Sequence, residues 1–110
     1  MNLKKNILII ITSIVCVLVP VIAAAAESPG TVLITGANRG IGLALANRFA
    51  EAGYTVIGTA RSPEKAAGLR QTGARIEQLD VTSQDSVDAL ARSLGNTPLD
   101  ILINNAGIKG

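Results

Sequence analysis

Residues 35–42 form a glycine-rich segment with the sequence TGANRGIG. An apolar, β-branched run precedes this segment, and a run with helical spacing follows it. Glycine at such a junction lets the chain turn sharply and lets its backbone approach a ligand closely. The first turn of the following helix would present free N–H groups and a partial positive charge, which together bind phosphate. An ordinary glycine-rich turn is the alternative interpretation of this segment taken alone.

The elements around this segment alternate between strand and helix patterns. Short apolar or β-branched runs predict strands at 31–35, 54–59, 74–79 and 99–103. Four strands with three helices between them predict an α/β fold of the Rossmann type with a parallel sheet. Right-handed crossovers in the usual nucleotide-binding arrangement would give the strand order 3-2-1-4.

The first of the three helices has apolar residues at helical spacing, and Gly53 is predicted to end it. Its predicted buried face consists of Ile41, Ala44, Leu45, Phe49 and Ala52.

The second helix is predicted to open at Pro63 and to end near Gly73. The third is predicted to follow a capping box at 82–85. Its predicted apolar face consists of Val87, Leu90, Ala91 and Leu94.

Residues 1–26 have the pattern of a secretory signal peptide. Lys4 and Lys5 precede an apolar stretch, Pro20 interrupts it, and four alanines at 23–26 offer small side chains for cleavage. The 20 residues at 7–26 would also serve as an uncleaved membrane anchor, because about 20 apolar residues span a bilayer. Both interpretations place the remainder on the non-cytoplasmic side, exported (periplasmic or secreted) or membrane-anchored, since the positive end stays in the cytoplasm. A misassigned start is a third alternative.

The composition excludes several classes of partner. The formal charge of the 110 residues is +2, but residues 27–110 carry eight basic and eight acidic side chains. With one Phe, one Tyr and no basic face, we expect no nucleic-acid binding. The chain has no His, and its one Cys, Cys16, lies in the leader, which excludes a Cys/His metal site in the body. Membrane contact is expected only through the leader.

The spacing Thr-Gly-x-x-x-Gly-x-Gly at 35–42 resembles the short-chain dehydrogenase/reductase family, whereas other dinucleotide folds carry Gly-x-Gly-x-x-Gly. Asp80-Val81 and 104–107 (NNAG) stand where that family has its next two motifs. The resemblance covers 31–110 and implies the N-terminal part of an NAD(P)-binding Rossmann domain, with 27–30 as a linker. The run 60–66 (ARSPEKA) looks most like the carbonyl-reductase and C-factor-like branch.

The resemblance implies roles for individual residues. The glycine segment would hold the phosphates and a ribose, Asp80 would accept a hydrogen bond from the adenine amino group, and Val81 would pack near the ring. Alternatively, Asp80 is only a turn residue, and the Asn pair at 104–105 ties the fourth strand to its neighbours. The predicted cofactor-binding residues are Gly36, Asn38, Arg39, Gly40, Ile41, Gly42, Arg61, Asp80, Val81, Asn105, Ala106 and Gly107.

Charge at the end of the second strand favours NADP(H) over NAD(H). An acidic residue there would bind the ribose 2′-hydroxyl of NAD(H), but residues 59–61 are TAR. Arg39 and Arg61 could both meet a 2′-phosphate, for which the guanidinium group is well shaped. The alternative is that both are solvated surface arginines.

The family transfers a hydride between nicotinamide and a carbonyl or alcohol, using a Ser, a Tyr and a Lys four residues after the Tyr. Tyr54 is the single tyrosine and Gly58 stands four residues after it, so no catalytic residue is predicted. We therefore expect a fragment of an NADP(H)-dependent oxidoreductase for small carbonyl or alcohol substrates, with an open apolar edge at 101–103. A truncated, non-catalytic nucleotide-binding module is one alternative. An exported signalling or interaction protein derived from the family is the other.

Overall fold

A computed structural model of the chain describes residues 28–107. The predicted leader, residue 27 of the predicted linker, and residues 108–110 lie outside this part. None of the helices between residues 28 and 107 is long and apolar enough to cross a membrane. The elements are β1 (Thr31–Ile34), α1 (Gly40–Glu51), β2 (Thr55–Ala60), a 3₁₀ helix (Pro63–Lys65), α2 (Ala67–Gln71), β3 (Arg75–Gln78), α3 (Gln84–Leu94) and β4 (Ile101–Ile103).

The four strands form one parallel sheet in the order β3-β2-β1-β4, which confirms the predicted α/β fold and strand order. The central strand, β1, pairs on one side with β2 and on the other with β4, so that Val32 lies between Val56 and Ile101. Because all strands run in the same direction, their carboxyl ends meet at one edge of the sheet. Ligands bind at this edge in open α/β sheets, next to the strand where the order reverses.

The hydrophobic core lies between this sheet and the helices α1 and α2. Val32 and Ile34 of β1 are wholly buried, as is Leu69 of α2. A fully buried Leu or Ile side chain contributes roughly 1.5–3 kcal/mol relative to an exposed one. The short helix α2 is therefore held mainly by Leu69, since five residues are too few for an isolated helix to be stable.

The predicted buried face of α1 is partly wrong. Gly42 and Ala46 are the buried residues of this helix, whereas Ile41 is 72% exposed and Ala44 and Ala52 are exposed. The face is rotated by one residue because position 42 lies against the backbone of the loop that precedes the helix, where any side chain would overlap it. Apolar spacing alone could not reveal this contact.

The predicted second helix is divided into two pieces. The 3₁₀ helix ends at Lys65, and Ala66 has non-helical dihedral angles (φ −96°, ψ 54°) before α2 begins. Ala66 is only 1% exposed, so the break turns its methyl group into the core.

The predicted cap and apolar face of α3 are also only partly right. Ser83, rather than Thr82, is the N-cap, and its Oγ accepts a hydrogen bond of 3.2 Å from the Ser86 N–H. Leu90 is buried, but Val87 is 39% exposed and Ala91 is exposed.

The edge formed by β4 is open within the described part of the chain, because β4 pairs only with β1. Leu102 at the middle of this strand is 62% exposed. This agrees with the open apolar edge expected at 101–103.

Two leucine truncations should separate the core from the open edge. Leu69→Ala should lower the free energy of unfolding by about 2–5 kcal/mol, because it leaves a cavity in the core. Leu102→Ala removes the same atoms from an exposed position and should change the free energy of unfolding by less than about 0.5 kcal/mol. Urea unfolding of the full chain, followed by circular dichroism, measures both; equal losses would contradict the core assigned here.

Candidate functional site

The loops after the four strands enclose a cleft of about 730 Å³, within the size range of ligand pockets. Ten of the twelve predicted binding residues line it, and Ile41 and Gly42 do not. These ten are Gly36, Asn38, Arg39, Gly40, Arg61, Asp80, Val81, Asn105, Ala106 and Gly107. Residues that are distant in sequence therefore meet at the carboxyl edge of the sheet.

The glycine loop has a shape that other residues could not adopt easily. Gly36 has φ +65°, and a Cβ there would lie 3.0 Å from the Cα of Ala106. Gly40 has φ +59°, but a Cβ there would meet nothing within 4 Å. Gly40 therefore faces the open cleft. At position 36 a side chain would collide with the loop that contains Ala106, so glycine is required there. Gly42 does not line the cleft, and its role is to let α1 pack close to Gly36.

Two buried threonines hold this loop in place. Thr35, at the end of β1, uses its hydroxyl to accept hydrogen bonds of 3.0 Å from the N–H groups of both Asn105 and Ala106. Thr59 of β2 accepts a 3.1 Å bond from the Gly36 N–H through its hydroxyl and a 2.8 Å bond from the Ala37 N–H through its carbonyl. Thr35 is the first residue of the glycine-rich segment, but neither threonine is among the predicted binding residues, and both position the loop without lining the cleft.

The asparagine pair has a structural role, as the alternative interpretation of residues 104–105 predicts. The Asn105 side-chain amide donates a 3.1 Å hydrogen bond to the Gly36 carbonyl oxygen. The Asn104 side-chain oxygen accepts a 3.2 Å bond from the Thr35 hydroxyl. The 104–107 motif therefore fixes the glycine loop in addition to lining the cleft.

The N-terminus of α1 has no capping side chain. Its N-cap is Arg39, whose side chain makes no capping hydrogen bond, and its first turn contains no acidic residue. The first-turn N–H groups of any α-helix have no acceptor within the helix. The helix dipole adds a partial positive charge at this point. The arrangement suits an anion bound in front of the glycine loop.

Asp80 follows β3 and is held by the turn after it. Its Oδ1 accepts a 2.6 Å bond from the Thr82 hydroxyl and a 2.9 Å bond from the Thr82 N–H. These two bonds, the hydroxyl bond first, lower the pKa of the carboxyl group, and the nearby Arg61 guanidinium lowers it further. Asp80 is therefore a turn residue, as the alternative proposed, and it is also an ionised group in the cleft.

The charge of the cleft is dominated by cations. Arg39, Arg61 and Lys65 line it, whereas Asp80 is its one acidic lining residue. Within residues 28–107 the one salt bridge joins Arg75 to Glu77, so none of the three cations is paired with a carboxylate there. The same part of the chain contains no group of three His, Cys, Asp or Glu side chains that could hold a metal ion.

Five lining residues were not predicted. They are Ala60, Ser62, Lys65, Leu79 and Thr82. The Asp-x-Thr spacing at 80–82 is typical of a side-chain turn and could have indicated Thr82. The position of Lys65 depends on the break at Ala66, which the sequence did not reveal.

A parallel sheet in the order 3-2-1-4, with a glycine loop between β1 and α1, defines the N-terminal half of a Rossmann-type dinucleotide-binding fold. The family model described as short chain dehydrogenase matches residues 30–110. The chain belongs to the short-chain dehydrogenase/reductase family.

Individual relatives agree with this assignment. A short-chain dehydrogenase/reductase of Pestalotiopsis microspora is 49% identical over 78 residues, which cover 70% of this chain and 28% of the relative. An NADPH-dependent pterin aldehyde reductase of Arabidopsis thaliana is 44% identical over 85 residues, covering 70% of this chain and 35% of the relative. A solved short-chain dehydrogenase/reductase from Burkholderia multivorans with bound NADP has a TM-score of 0.67 and 37% identity, covering 73% of this chain and 37% of that one. The chain thus spans about a third of the length of these relatives.

The turn after β3 predicts how Asp80 titrates. Thr82→Val removes the hydroxyl but keeps the backbone N–H, so the pKa of Asp80 should rise part of the way towards its ordinary value. In the wild type, a pKa lowered by folding means that the stabilisation is present at neutral pH and is lost as the pH falls through the lowered pKa.

Nuclear magnetic resonance titration of the Asp80 carboxyl carbon in the full chain measures this shift. Thr82→Ser is the matched control, because it retains the hydroxyl and should retain the low pKa. Equal midpoints for the Val and Ser variants would show that the hydroxyl does not determine the pKa.

Proposed function

We propose that the cleft binds NADP(H) and that the chain provides the cofactor-binding part of an oxidoreductase. The whole protein would transfer a hydride between the nicotinamide and a small carbonyl or alcohol substrate. The observation that carries the proposal is a cation-rich cleft in front of an uncapped helix and a glycine loop. Membership of the family, an NADPH-dependent relative and a structural neighbour with bound NADP support it.

The pyrophosphate would lie in front of the glycine loop. Gly40 leaves open space where a side chain would otherwise project, and the first-turn N–H groups of α1 would donate to the phosphate oxygens. Asn38 and Arg39 line the same region. These features fit a group with two negative charges close together.

The adenosine would lie at the β3 end of the cleft. The Asp80 carboxylate is an acceptor for the adenine amino group, and Val81, which is 37% exposed, offers an apolar surface to the ring. Asn105 and Ala106 would lie beside the ribose, although the Asn105 amide nitrogen is already bonded to Gly36.

The preference for NADP(H) follows from the end of β2. Thr59 and Ala60 are buried there, and the next residue, Arg61, is exposed and lines the cleft. An acid that could bind both ribose hydroxyls is missing from this segment, and the guanidinium group is suited to a phosphate. Arg39 would contact the same phosphate from the other loop.

The described residues are assigned to binding and orientation rather than to proton transfer. Tyr54, the one tyrosine, packs edge-on against Phe49 with ring centroids 5.0 Å apart and does not line the cleft. The nicotinamide would supply the hydride acceptor or donor.

A cofactor titration tests the proposal. The full chain should bind NADPH more tightly than NADH. Arg61→Gln should weaken NADPH binding roughly 10- to 150-fold, because a guanidinium–phosphate bond contributes about 1.5–3 kcal/mol. NADH binding should change less than about twofold, since it has no 2′-phosphate. Arg92→Gln, an exposed arginine on α3, is the matched control.

The fluorescence of the reduced cofactor reports binding without interference, because the chain has no Trp. Equal affinity for the two cofactors would reject NADP(H) preference. The absence of binding to either would reject the proposed function and would favour the interaction protein expected as an alternative.

We further propose that residues 1–26 export the chain. The proposal rests on Lys4 and Lys5, the apolar stretch after them and the four alanines. Fusion of residues 1–40 to an alkaline phosphatase that is active only outside the cytoplasm should give activity, and Ile10→Arg should abolish it, because a charge in the apolar stretch opposes insertion. An intact mass lower by residues 1–26 would indicate cleavage, and a full mass would indicate an anchor. A fusion without activity would contradict export.

A further inference from the structure

We propose that the Ser86 hydroxyl, oriented by Gln78, is a positioning group that holds Asp80 where its carboxylate can select adenine over other purines. The inference rests on the proposed function, in which Asp80 accepts from the adenine amino group. Ser86 lies in the first turn of α3 and Gln78 is the last residue of β3. Neither of them lines the cleft, so both would act through Asp80 and not on the cofactor itself.

Both backbone groups of Asp80 are bonded to the beginning of α3. The Asp80 N–H donates a 2.8 Å hydrogen bond to the Ser86 hydroxyl oxygen. The Asp80 carbonyl oxygen accepts a 3.0 Å bond from the Ser83 N–H, and the Ser83 hydroxyl accepts a 3.2 Å bond from the Ser86 N–H. These three bonds form a closed ring. The backbone from which the carboxylate projects is therefore attached to α3, independently of the bonds that Thr82 makes to the carboxylate.

Gln78 determines how the Ser86 hydroxyl is oriented. A serine hydroxyl has one hydrogen to donate and two lone pairs that accept. The Ser86 hydroxyl donates a 2.9 Å bond to the side-chain oxygen of Gln78, which leaves its lone pairs to the Asp80 N–H. The Gln78 amide nitrogen lies 3.5 Å from the Arg61 carbonyl oxygen, a group that can only accept. This contact fixes the Gln78 amide with its oxygen towards Ser86.

The position of the Asp80 carboxylate determines which base it accepts. Adenine presents an amino group that donates to a carboxylate, whereas hypoxanthine has a carbonyl oxygen in the same place, which a carboxylate repels. Hydrogen bonds weaken steeply when their alignment is poor, so this selection requires a carboxylate with a fixed position. Asp80 is only half-buried, and hydrogen bonds rather than close packing must hold it. Ser86 supplies the bond to its N–H.

Helix α3 contains a matched control for this contact. Ser93, near its other end, donates a 2.8 Å bond to the carboxylate of Glu77 on β3. Both serines thus join α3 to a side chain of β3, but Ser93 makes no bond to Asp80 and does not line the cleft. Loss of the Ser93 hydroxyl should weaken the packing of α3 without releasing Asp80.

The affinity of the full chain for NADPH, divided by its affinity for the hypoxanthine analogue of NADPH, measures how well Asp80 is positioned. In the wild type this ratio should be about ten or more, as expected for a hydrogen bond to a charged group. Ser86→Ala should lower it to about three or less, because the carboxylate loses its alignment. Ser86→Thr retains the hydroxyl and should keep the ratio of the wild type.

Two further variants complete the test. Ser93→Ala should leave the ratio within about twofold of the wild type, since distant sites act independently. Gln78→Leu, at an exposed position, removes the acceptor that orients Ser86 and should lower the ratio in the same direction as Ser86→Ala. It decides the inference if Ser86→Ala does not fold. Cofactor fluorescence measures each affinity, and circular dichroism of each variant checks its fold.

The outcomes separate the inference from the proposed function. A lower ratio in Ser86→Ala and Gln78→Leu, with the ratio kept in Ser86→Thr and Ser93→Ala, would establish the positioning role. Equal weakening of both cofactors in Ser86→Ala would show a purely structural role and would overturn it. A wild-type chain that binds NADPH and its hypoxanthine analogue equally would also overturn the inference, but would leave NADP(H) binding intact. A wild-type chain that binds neither would overturn both.

Discussion

The meeting of the ends of β1 and β4 is the constraint on which the remaining features of the site depend. The Thr35 hydroxyl is buried there, accepts from two successive N–H groups of the 104–107 motif and donates to Asn104. The side-chain amide of Asn105 donates a hydrogen bond to the carbonyl oxygen of Gly36. A buried hydroxyl with three partners leaves little freedom to either segment, since an unmade hydrogen bond in this environment costs about 1–3 kcal/mol. The glycine loop and the asparagine motif therefore form one unit across the switch point of the sheet.

The electrostatic character of the cleft follows from the way in which its helices begin. Helix α3 has a serine cap and an acidic first turn, so its N-terminal N–H groups are partly satisfied by the chain itself. Helix α1 has neither, and it begins at Gly40, directly after the loop that starts at Gly36. Three cations, Arg39, Arg61 and Lys65, also line the cleft, and Asp80 is its one acidic lining residue, so the lining carries a net positive charge. The site is consequently arranged for a polyanion that enters between β1 and the ends of its neighbouring strands. This is the chemical basis of the proposed NADP(H) binding.

Much of the fold could be predicted because it depends on patterns that are local. Strand and helix periodicities alternate clearly, and parallel strands with right-handed crossovers leave few possible orders, so 3-2-1-4 was predicted correctly. The errors lie where a distant backbone decides the local result. Ile41 has the spacing of a buried residue, yet Gly42 faces the loop and rotates the helix so that Ile41 is exposed. Pro63 predicts a helix start, yet Ala66 is buried in the core with non-helical dihedral angles, and the helix is interrupted there. Thr82 is a residue type that often caps helices, yet its hydroxyl donates a hydrogen bond to the Asp80 carboxylate and does not cap α3.

The sequence by itself determined the family, the order of the strands and most of the residues that line the cleft, because these depend on glycine, apolar periodicity and short motifs at particular spacings. Only the tertiary structure decided what each of these residues contacts. It showed that Asn105 donates a hydrogen bond to Gly36, that Thr59 supports the loop from β2, and that Ser62 and Lys65 line the cleft. The physical reason is that hydrogen bonds between Thr35 and Asn105, or between Gly36 and Thr59, join residues whose separation along the chain carries no periodic signal. A cleft at the edge of a parallel sheet is composed of such contacts, so its members can be predicted from motifs while its geometry depends on how the strands pair.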